Sequence, residues 1–283
     1  MGVAPVFRNS AVVSAPIIGY FSSMFEVLTE IVSNQRITGD TWLTALRSAE
    51  IAQAANPGQF VMIRVRTGLD PLLRRPFSIC GVRDDLFLVL YRVVGKGTRL
   101  MTELRGGDKM WVLGPLGRGF AVTDKNTSRL LVGGGIGIAP LIFLDQFHLE
   151  KRLTLMMGFR SAKDIISPKR VTGEKRGFLA ATDDGTKGHH GPVTDLLEEH
   201  LRKNGGKAVV YACGPKPMLR KVAEMTRAMG MPCQVSLESH MACGLGACQG
   251  CAVKASAHSG RSYFHVCKEG PVFEAENIDW EMI

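Results

Sequence analysis

The sequence predicts a multi-domain protein of β and α/β class: an antiparallel β-barrel, a parallel α/β domain, and a small C-terminal domain organised by cysteines. Three observations predict it. Residues 24–124 alternate strand-length apolar runs with turn signals, residues 125–230 alternate short apolar strands with helical segments, and residues 231–283 hold Cys243, Cys248, Cys251 and Cys267. Residues 1–23 precede these as an N-terminal extension. At 283 residues the chain is too long for one small domain and suits two or three.

The barrel rests on runs rich in apolar and β-branched residues at 25–32, 41–46, 59–65 and 85–93. Between them lie Thr38-Gly-Asp40, Asn56-Pro-Gly58 and Gly106-Gly-Asp108, the punctuation expected of turns. The style then changes. Apolar strands at 129–132, 153–157 and 208–212 alternate with helical segments at 193–203 and 217–228, a pattern that implies βαβ units on a parallel sheet.

The third part carries the most specific chemistry. Cys243-Gly-Leu-Gly-Ala-Cys248-Gln-Gly-Cys251 has gaps of four and two residues, and Cys267 follows after a gap of fifteen. That is the plant-type [2Fe–2S] spacing, in which a loop wraps the cluster and a fourth thiolate arrives from elsewhere. Gly244, Gly246 and Gly250 sit between ligands, where backbone approaches inorganic sulfide and positive φ is expected. A structural zinc site is the competing reading, but zinc ligands usually come as two short-spaced couples. The iron–sulfur reading implies single-electron chemistry. A unit this small has little core of its own, and a metal centre would help to stabilise it.

Composition closes off other classes. The net charge is +9, but aromatics make up only 7% and no Lys/Arg run or recognition motif appears, so nucleic acid is not expected as a partner. An acidic cofactor or partner is the better reading of that charge. The cysteine count is odd and four are committed to a cluster, which excludes a secreted disulfide framework. The longest apolar stretch beyond the N-terminus, residues 130–144, holds four glycines and a proline and is too short to span a membrane. The chain is therefore expected in the cytoplasm.

Two motifs in the barrel and two in the α/β part suggest cofactors. Arg74-Arg75-Pro76-Phe77-Ser78 supplies a guanidinium for a pyrophosphate, a ring to stack and a hydroxyl for a flavin edge. Tyr91-Arg92-Val93-Val94-Gly95-Lys96-Gly97-Thr98 leads into a helix whose first N–H groups suit phosphate. Gly133-Gly134-Gly135-Ile136-Gly137-Ile138-Ala139-Pro140 and Cys213-Gly214-Pro215-Lys216-Pro217-Met218 each join a strand to a helix. The first of these lets backbone approach a dinucleotide, although its spacing is not the Rossmann G-x-G-x-x-G.

The order of these motifs resembles the ferredoxin–NADP⁺ reductase family of flavoproteins. With the cluster loop after the nucleotide domain and the tail Cys267-Lys-Glu-Gly-Pro-Val-Phe273, the chain is similar to the electron-transfer subunits of class 1B dihydroorotate dehydrogenases. The resemblance covers nearly everything from Met24 to Trp280. It implies an FAD-binding barrel, an NAD-binding α/β domain and a [2Fe–2S] domain. FAD would be held by Arg75, Pro76, Phe77, Ser78, Leu90, Tyr91, Arg92, Gly97 and Thr98. Ser78 would sit near flavin N5 and Phe77 against the ring system, where many relatives carry tyrosine. Gly133, Gly134, Gly135 and Gly137 would line the NAD(H) pyrophosphate, with Cys213 and Gly214 close to the nicotinamide; Ser78 and Cys213 would serve catalysis. The resemblance further implies electron relay between NAD(H), FAD, the cluster and an FMN-containing dihydroorotate dehydrogenase catalytic subunit, in a heterotetramer of two plus two serving pyrimidine biosynthesis.

Two rival readings remain at this point. An NAD(P)H–ferredoxin oxidoreductase subunit would share the motifs, but bifurcating members often carry Asp where this chain has Cys243. A non-enzymatic redox sensor would keep the cluster without needing the flavin motif. Cys80 and Cys233 read as buried small hydrophobes, His189 and His190 as a surface turn, and His240 and His265 as neighbours of the cluster rather than ligands.

Overall fold

The computed structural model describes residues 24–122, 127–147, 153–173, 176–205 and 208–283. The expected N-terminal extension and the expected boundary at 124/125 lie outside the described residues.

Six strands close the barrel: β1 (Phe25–Arg36), β2 (Thr41–Arg47), β3 (Phe60–Arg64), β4 (Arg75–Arg83), β5 (Leu86–Arg92) and β6 (Lys109–Leu116). They run in the spatial order β1-β2-β5-β4-β3-β6, with every neighbouring pair antiparallel. Helix α1 (Ala49–Ala54) precedes β3, and α2 (Lys96–Glu103) joins β5 to β6. The alternation of side chains explains why β5 reads as one apolar run. Phe87, Val89 and Tyr91 fill the barrel interior, while Leu88 and Leu90 point outward into the core shared with the nucleotide domain. Strand β3 divides the same way. Val61 and Ile63 face in, whereas Phe60 and Met62 face the C-terminal segment.

The second sheet gathers β7 (Ser128–Gly134), β8 (Leu153–Phe159), β9 (Leu179–Thr182), β10 (His189–His190), β11 (Ala208–Cys213) and β12 (Cys233–Ser236) as parallel strands. The helices between them are α3 (Ile138–Phe147), α4 (Pro168–Thr172), α5 (Val193–Asn204) and α6 (Lys216–Ala228). Two short strands, β13 (Ala252–Lys254) and β14 (Tyr263–His265), pair beside the cysteine loop. Finally β15 (Val272–Glu274) adds antiparallel to β12, giving the order β10-β9-β8-β7-β11-β12-β15. The C-terminal block thus contributes two strands to the nucleotide sheet. Its Phe264, Val266, Phe273 and Ile278 belong to the same core as Val210 and Leu219, so more of it is anchored than its composition suggests.

The chain reverses its direction of travel across the sheet between β7 and β11. In open α/β sheets the crevice beyond the strand ends at such a switch point takes ligands. Helix α3 is apolar from Ile138 to Leu144 because it lies between this sheet and the barrel, with eight of its ten residues buried. Polar clamps fix the junction. The Gln146 side chain donates to the Val82 carbonyl (2.7 Å) and accepts from its N–H (3.1 Å). Tyr211 Oη and Gln234 Nε2 both donate to the Ala121 carbonyl at 3.1 Å.

Candidate functional site

The first cleft, about 310 Å³, is walled by the barrel strands β4 and β5, the start of α3 and the segment after β12. Arg75, Pro76, Phe77, Ser78, Leu90, Tyr91, Arg92 and Thr98 all line it, as the motifs lead one to expect. Strand pairing creates this convergence, since β4 and β5 are neighbours and Thr98 lies in the helix that follows β5. Gly97 is set just behind. An added Cβ there would stand 2.5 Å from Arg75 Nε, so glycine is what lets the guanidinium cross the start of α2. The Thr98 hydroxyl accepts from the N–H groups of Val94 (3.0 Å) and Gly95 (3.1 Å), which shapes the turn into the helix. Phe77 meets Tyr91 edge-on at 5.9 Å between ring centres. Burial pushes the Tyr91 phenol up to about 12, with Asn34 and Thr44 pulling weakly the other way. Asn34 also donates to the carbonyls of Met101 (2.7 Å) and Leu104 (3.0 Å), tying the end of α2 to the barrel.

The segment after β12 escaped the motif reading. Ser236, Leu237, Glu238, Ser239 and Met241 line this cleft with Ile136, Ala139 and Pro271. Glu238 is exposed at the cleft mouth, yet the protein around its carboxyl desolvates it and holds it above the usual range, and Arg92 offsets part of that. The available signal was position alone: these residues follow a strand end and precede the first cluster cysteine.

A second cleft of about 310 Å³ opens beyond the C-terminal ends of β7, β8 and β11. Gly134 and Gly135 line it, with Phe159, Arg160, Asp164, Asp183, Pro215 and Met218 among their companions. Gly133, Gly137, Cys213 and Gly214 stand behind the wall. Gly133 packs on Ile138 and Leu141, and Gly137 on the Cys213 carbonyl and Gly214. The Cys213 thiol is buried, which raises its pKa; the charge of Glu238 adds to this and a hydrogen bond from Ser236 opposes it, so the group is a neutral thiol at neutral pH. Arg92 and Ile136 line both clefts, so the two adjoin there.

The cysteine loop rests on the barrel. A Cβ at Gly244 would stand 2.6 Å from Met62 Cγ, and φ is +74° at Gly244 and +79° at Gly246. Positive φ was also expected at Gly250, but Gln249 adopts it instead, at +57°. None of the seven cysteines forms a disulfide. Cys251 and Cys267 bring their sulfurs within 3.2 Å. The Gly246 N–H donates to Cys267 Sγ (3.1 Å), and those of Leu245 and Cys248 donate to Cys243 Sγ (3.3 and 3.4 Å). Burial pushes the Cys243 thiol up, but these N–H groups outweigh it and leave the thiol at about 7. Burial and the neighbouring Cys251 raise Cys267 to about 12. No three His, Cys, Asp or Glu side chains among the described residues converge to hold one metal ion. The thiols instead fall into two pairs, Cys243 with Cys248 and Cys251 with Cys267. That donor set fits a two-iron cluster better than zinc. His265 Nδ1 meets the Glu269 carboxylate at 3.4 Å.

Comparison with known proteins agrees with this geometry. Residues 238–279 match the iron–sulfur cluster binding domain of dihydroorotate dehydrogenase B, and residues 131–224 match the oxidoreductase NAD-binding domain. The dihydroorotate dehydrogenase B (NAD(+)) electron transfer subunit of Desulforamulus reducens is 37% identical over 258 residues, 89% of this chain and 97% of that one. Its counterpart from Geobacillus thermodenitrificans is 39% identical over 254 residues, 88% and 96% of the two chains. Among solved structures, an NADH-dependent reduced ferredoxin–NADP oxidoreductase described for flavin-based electron bifurcation superposes with a TM-score of 0.78 at 30% identity, over 90% and 91% of the chains. A ferredoxin–NADP⁺ reductase from Neisseria gonorrhoeae with bound FAD and NADP shares the fold, at a TM-score of 0.59 and 16% identity, over 74% and 92% of the chains. With two clefts that adjoin and a paired-thiol loop seated on the barrel, the chain belongs to the family of dihydroorotate dehydrogenase B (NAD(+)) electron transfer subunits.

Proposed function

We propose that the chain is the electron transfer subunit of an NAD-linked dihydroorotate dehydrogenase in pyrimidine biosynthesis, acting with an FMN-containing catalytic subunit. The observation that carries this reading is the meeting of the two clefts at Arg92 and Ile136, with the cysteine loop against Met62 of the same barrel. When bound, the flavin exchanges electron pairs with nicotinamide and single electrons with the cluster, a conversion that neither neighbour performs.

The residues divide that work. Arg75, with the N-terminus of α2 beside Gly97 and Thr98, holds pyrophosphate. Phe77 and Tyr91 provide an apolar wall for the ring system, and Ser78 places its hydroxyl at a flavin edge. Gly134 and Gly135 admit the second dinucleotide, with Gly133 and Gly137 drawing α3 close to the sheet. Cys213 and Gly214 support the nicotinamide end, where a neutral thiol adds no charge beside a hydride path. Cys243, Cys248, Cys251 and Cys267 bind the cluster. The working division is an FAD-binding unit at 24–124, an NAD-binding unit at 125–230 and a cluster unit at 231–283. We place the complex in the cytoplasm as a heterotetramer of two plus two, since a thiolate-ligated cluster suits a reducing compartment. No helix among the described residues is long and apolar enough to cross a membrane.

The ferredoxin-linked alternative draws on the superposition with the NADH-dependent reduced ferredoxin–NADP oxidoreductase. Against it, Cys243 completes a set of four thiols here. The purified chain should carry about two iron per FAD, and NADH should bleach its flavin faster than NADPH in stopped flow. Faster bleaching by NADPH would favour the alternative, and absence of flavin would contradict both.

A further inference from the structure

The outer face of the barrel beside the cysteine loop is apolar where a solvated barrel would be polar. Leu28 is 49% exposed, Trp111 38%, Leu69 84%, Leu72 59% and Leu73 52%. With Leu245 of the cysteine loop they make six of the thirteen exposed large hydrophobics among the described residues.

The topology places them together. Leu28 on β1 pairs with Trp111 on β6, and Trp111 pairs with Arg64 on β3. Side chains opposite each other share a face, so these three point outward together. The loop from 65 to 74, which carries the three leucines, is tied to that face. Arg64 Nη2 donates to the Gly68 carbonyl at 3.4 Å, and Arg74 forms an ion pair with Glu26 of β1. At its other edge the face runs into the cysteine loop, because Met62, two residues before Arg64, is the residue on which Gly244 rests. Two residues along a strand and one strand across put Trp111 about 7–12 Å from that contact. The patch is rimmed by Arg64, Arg66, Arg74 and Lys109 together with Glu26, Glu30 and Asp70, an apolar centre with a border that carries both signs of charge. Neither Leu28, Leu69 nor Trp111 lines either cleft, so a bound dinucleotide leaves them uncovered.

We infer that this barrel face, centred on Trp111 and Leu28 and flanked by the 65–74 loop, is the anchor by which the FMN-containing catalytic subunit docks. The cysteine loop alone is a poor anchor, being short, rich in glycine and exposed at Cys248. An electron acceptor or donor has to approach it while gripping something larger alongside, and the contiguous apolar face supplies that grip. A second copy of this chain seated here would cover the approach to Cys248, which is why the catalytic partner is the occupant. The inference rests on the functional reading above and extends the interface from the cluster to the barrel.

The test uses the holo chain and an FMN-containing dihydroorotate dehydrogenase. Wild type should form a complex in gel filtration and calorimetry, while Trp111→Glu and Leu69→Glu each weaken it at least tenfold. Both variants should keep their FAD, their iron and their NADH–dye reductase rate, because neither residue lines a cleft. Leu69→Glu guards against misfolding, since that side chain is almost wholly in solvent. If both variants bind the partner as tightly as wild type does, the barrel face is not the anchor. If the wild-type chain alone is a dimer that Leu69→Glu dissociates, the occupant is a second copy and the inference fails. If wild type does not bind the FMN enzyme at all, the functional reading falls first and takes this inference with it.

Discussion

The barrel and the cysteine loop lie in contact yet are held in place by opposite means. The barrel is shaped by its interior, where Ile31, Leu46, Val61, Ile63, Phe87 and Val89 are wholly buried. From Ala242 to Gly250 the loop has no strand or helix, and most of its residues face solvent. Its conformation rests on N–H groups turned toward sulfur, on left-handed backbone, and on the glycine contact with Met62. The flavin side of the molecule is thus a property of packing, and the cluster side a property of ligation. Damage to one should spare the other in one direction only.

The largest effect should come from the barrel interior. Phe87→Ala removes a fully buried ring and should cost about 3–5 kcal/mol, enough to lower the melting temperature sharply and release both FAD and iron. Retention of FAD with an unchanged melting temperature would mean that the barrel is braced from outside. Next, Arg75→Ala should weaken FAD binding by about 1.5–3 kcal/mol, roughly ten- to a hundredfold, because a phosphate loses a charge-assisted partner. The ratio of flavin to protein after dialysis measures it, and the iron content should not change.

Smaller still is the clamp between the two large units. Gln146→Ala removes two hydrogen bonds to Val82 and should cost about 1–2 kcal/mol. Calorimetry would see that loss as a modest fall in melting temperature with FAD retained. The weakest perturbation is chemical. In iron-free protein the Cys243 thiol, with its pKa lowered to about 7, is mostly thiolate above that pH and mostly thiol below it. Alkylation at Cys243 should therefore rise as pH passes upward through about 7, while buried Cys213 stays unmodified under the same conditions. Equal labelling of the two, read by mass spectrometry, would contradict the described loop.

Much of this division was legible in the residues. The cysteine spacing pointed to a cluster, since ligand geometry acts over a few residues. Four of the six barrel strands and three strands of the nucleotide sheet were legible because apolar period and turn chemistry are local, whereas β4, β6, β9, β10 and β12 were not named in advance. What escaped was long-range. Nothing in Cys233-Gln-Val-Ser236 or Val272-Phe-Glu274 announces that the C-terminal block lends two strands to the preceding sheet. Likewise Asn34 looks like an ordinary strand residue until α2 arrives over it, and Gln146 becomes a clamp only when Val82 is opposite. The glycine motif was read as one surface, but Gly134 and Gly135 line the cleft while Gly133 and Gly137 serve close packing behind it. Sequence identifies the residue type, and only the neighbour across the fold decides which of the two jobs it does.

The most direct test of the account asks whether electrons pass through the four thiols. Wild type and Cys251→Ser are each mixed with the FMN-containing dihydroorotate dehydrogenase, and dihydroorotate-dependent reduction of NAD⁺ is followed at the nicotinamide band. Wild type should couple the two reactions. The variant should lose its iron and that coupling, while keeping FAD, NADH–dye reduction and dye-linked dihydroorotate oxidation by the partner. NAD⁺ reduction at the wild-type rate in an iron-free variant would contradict the account.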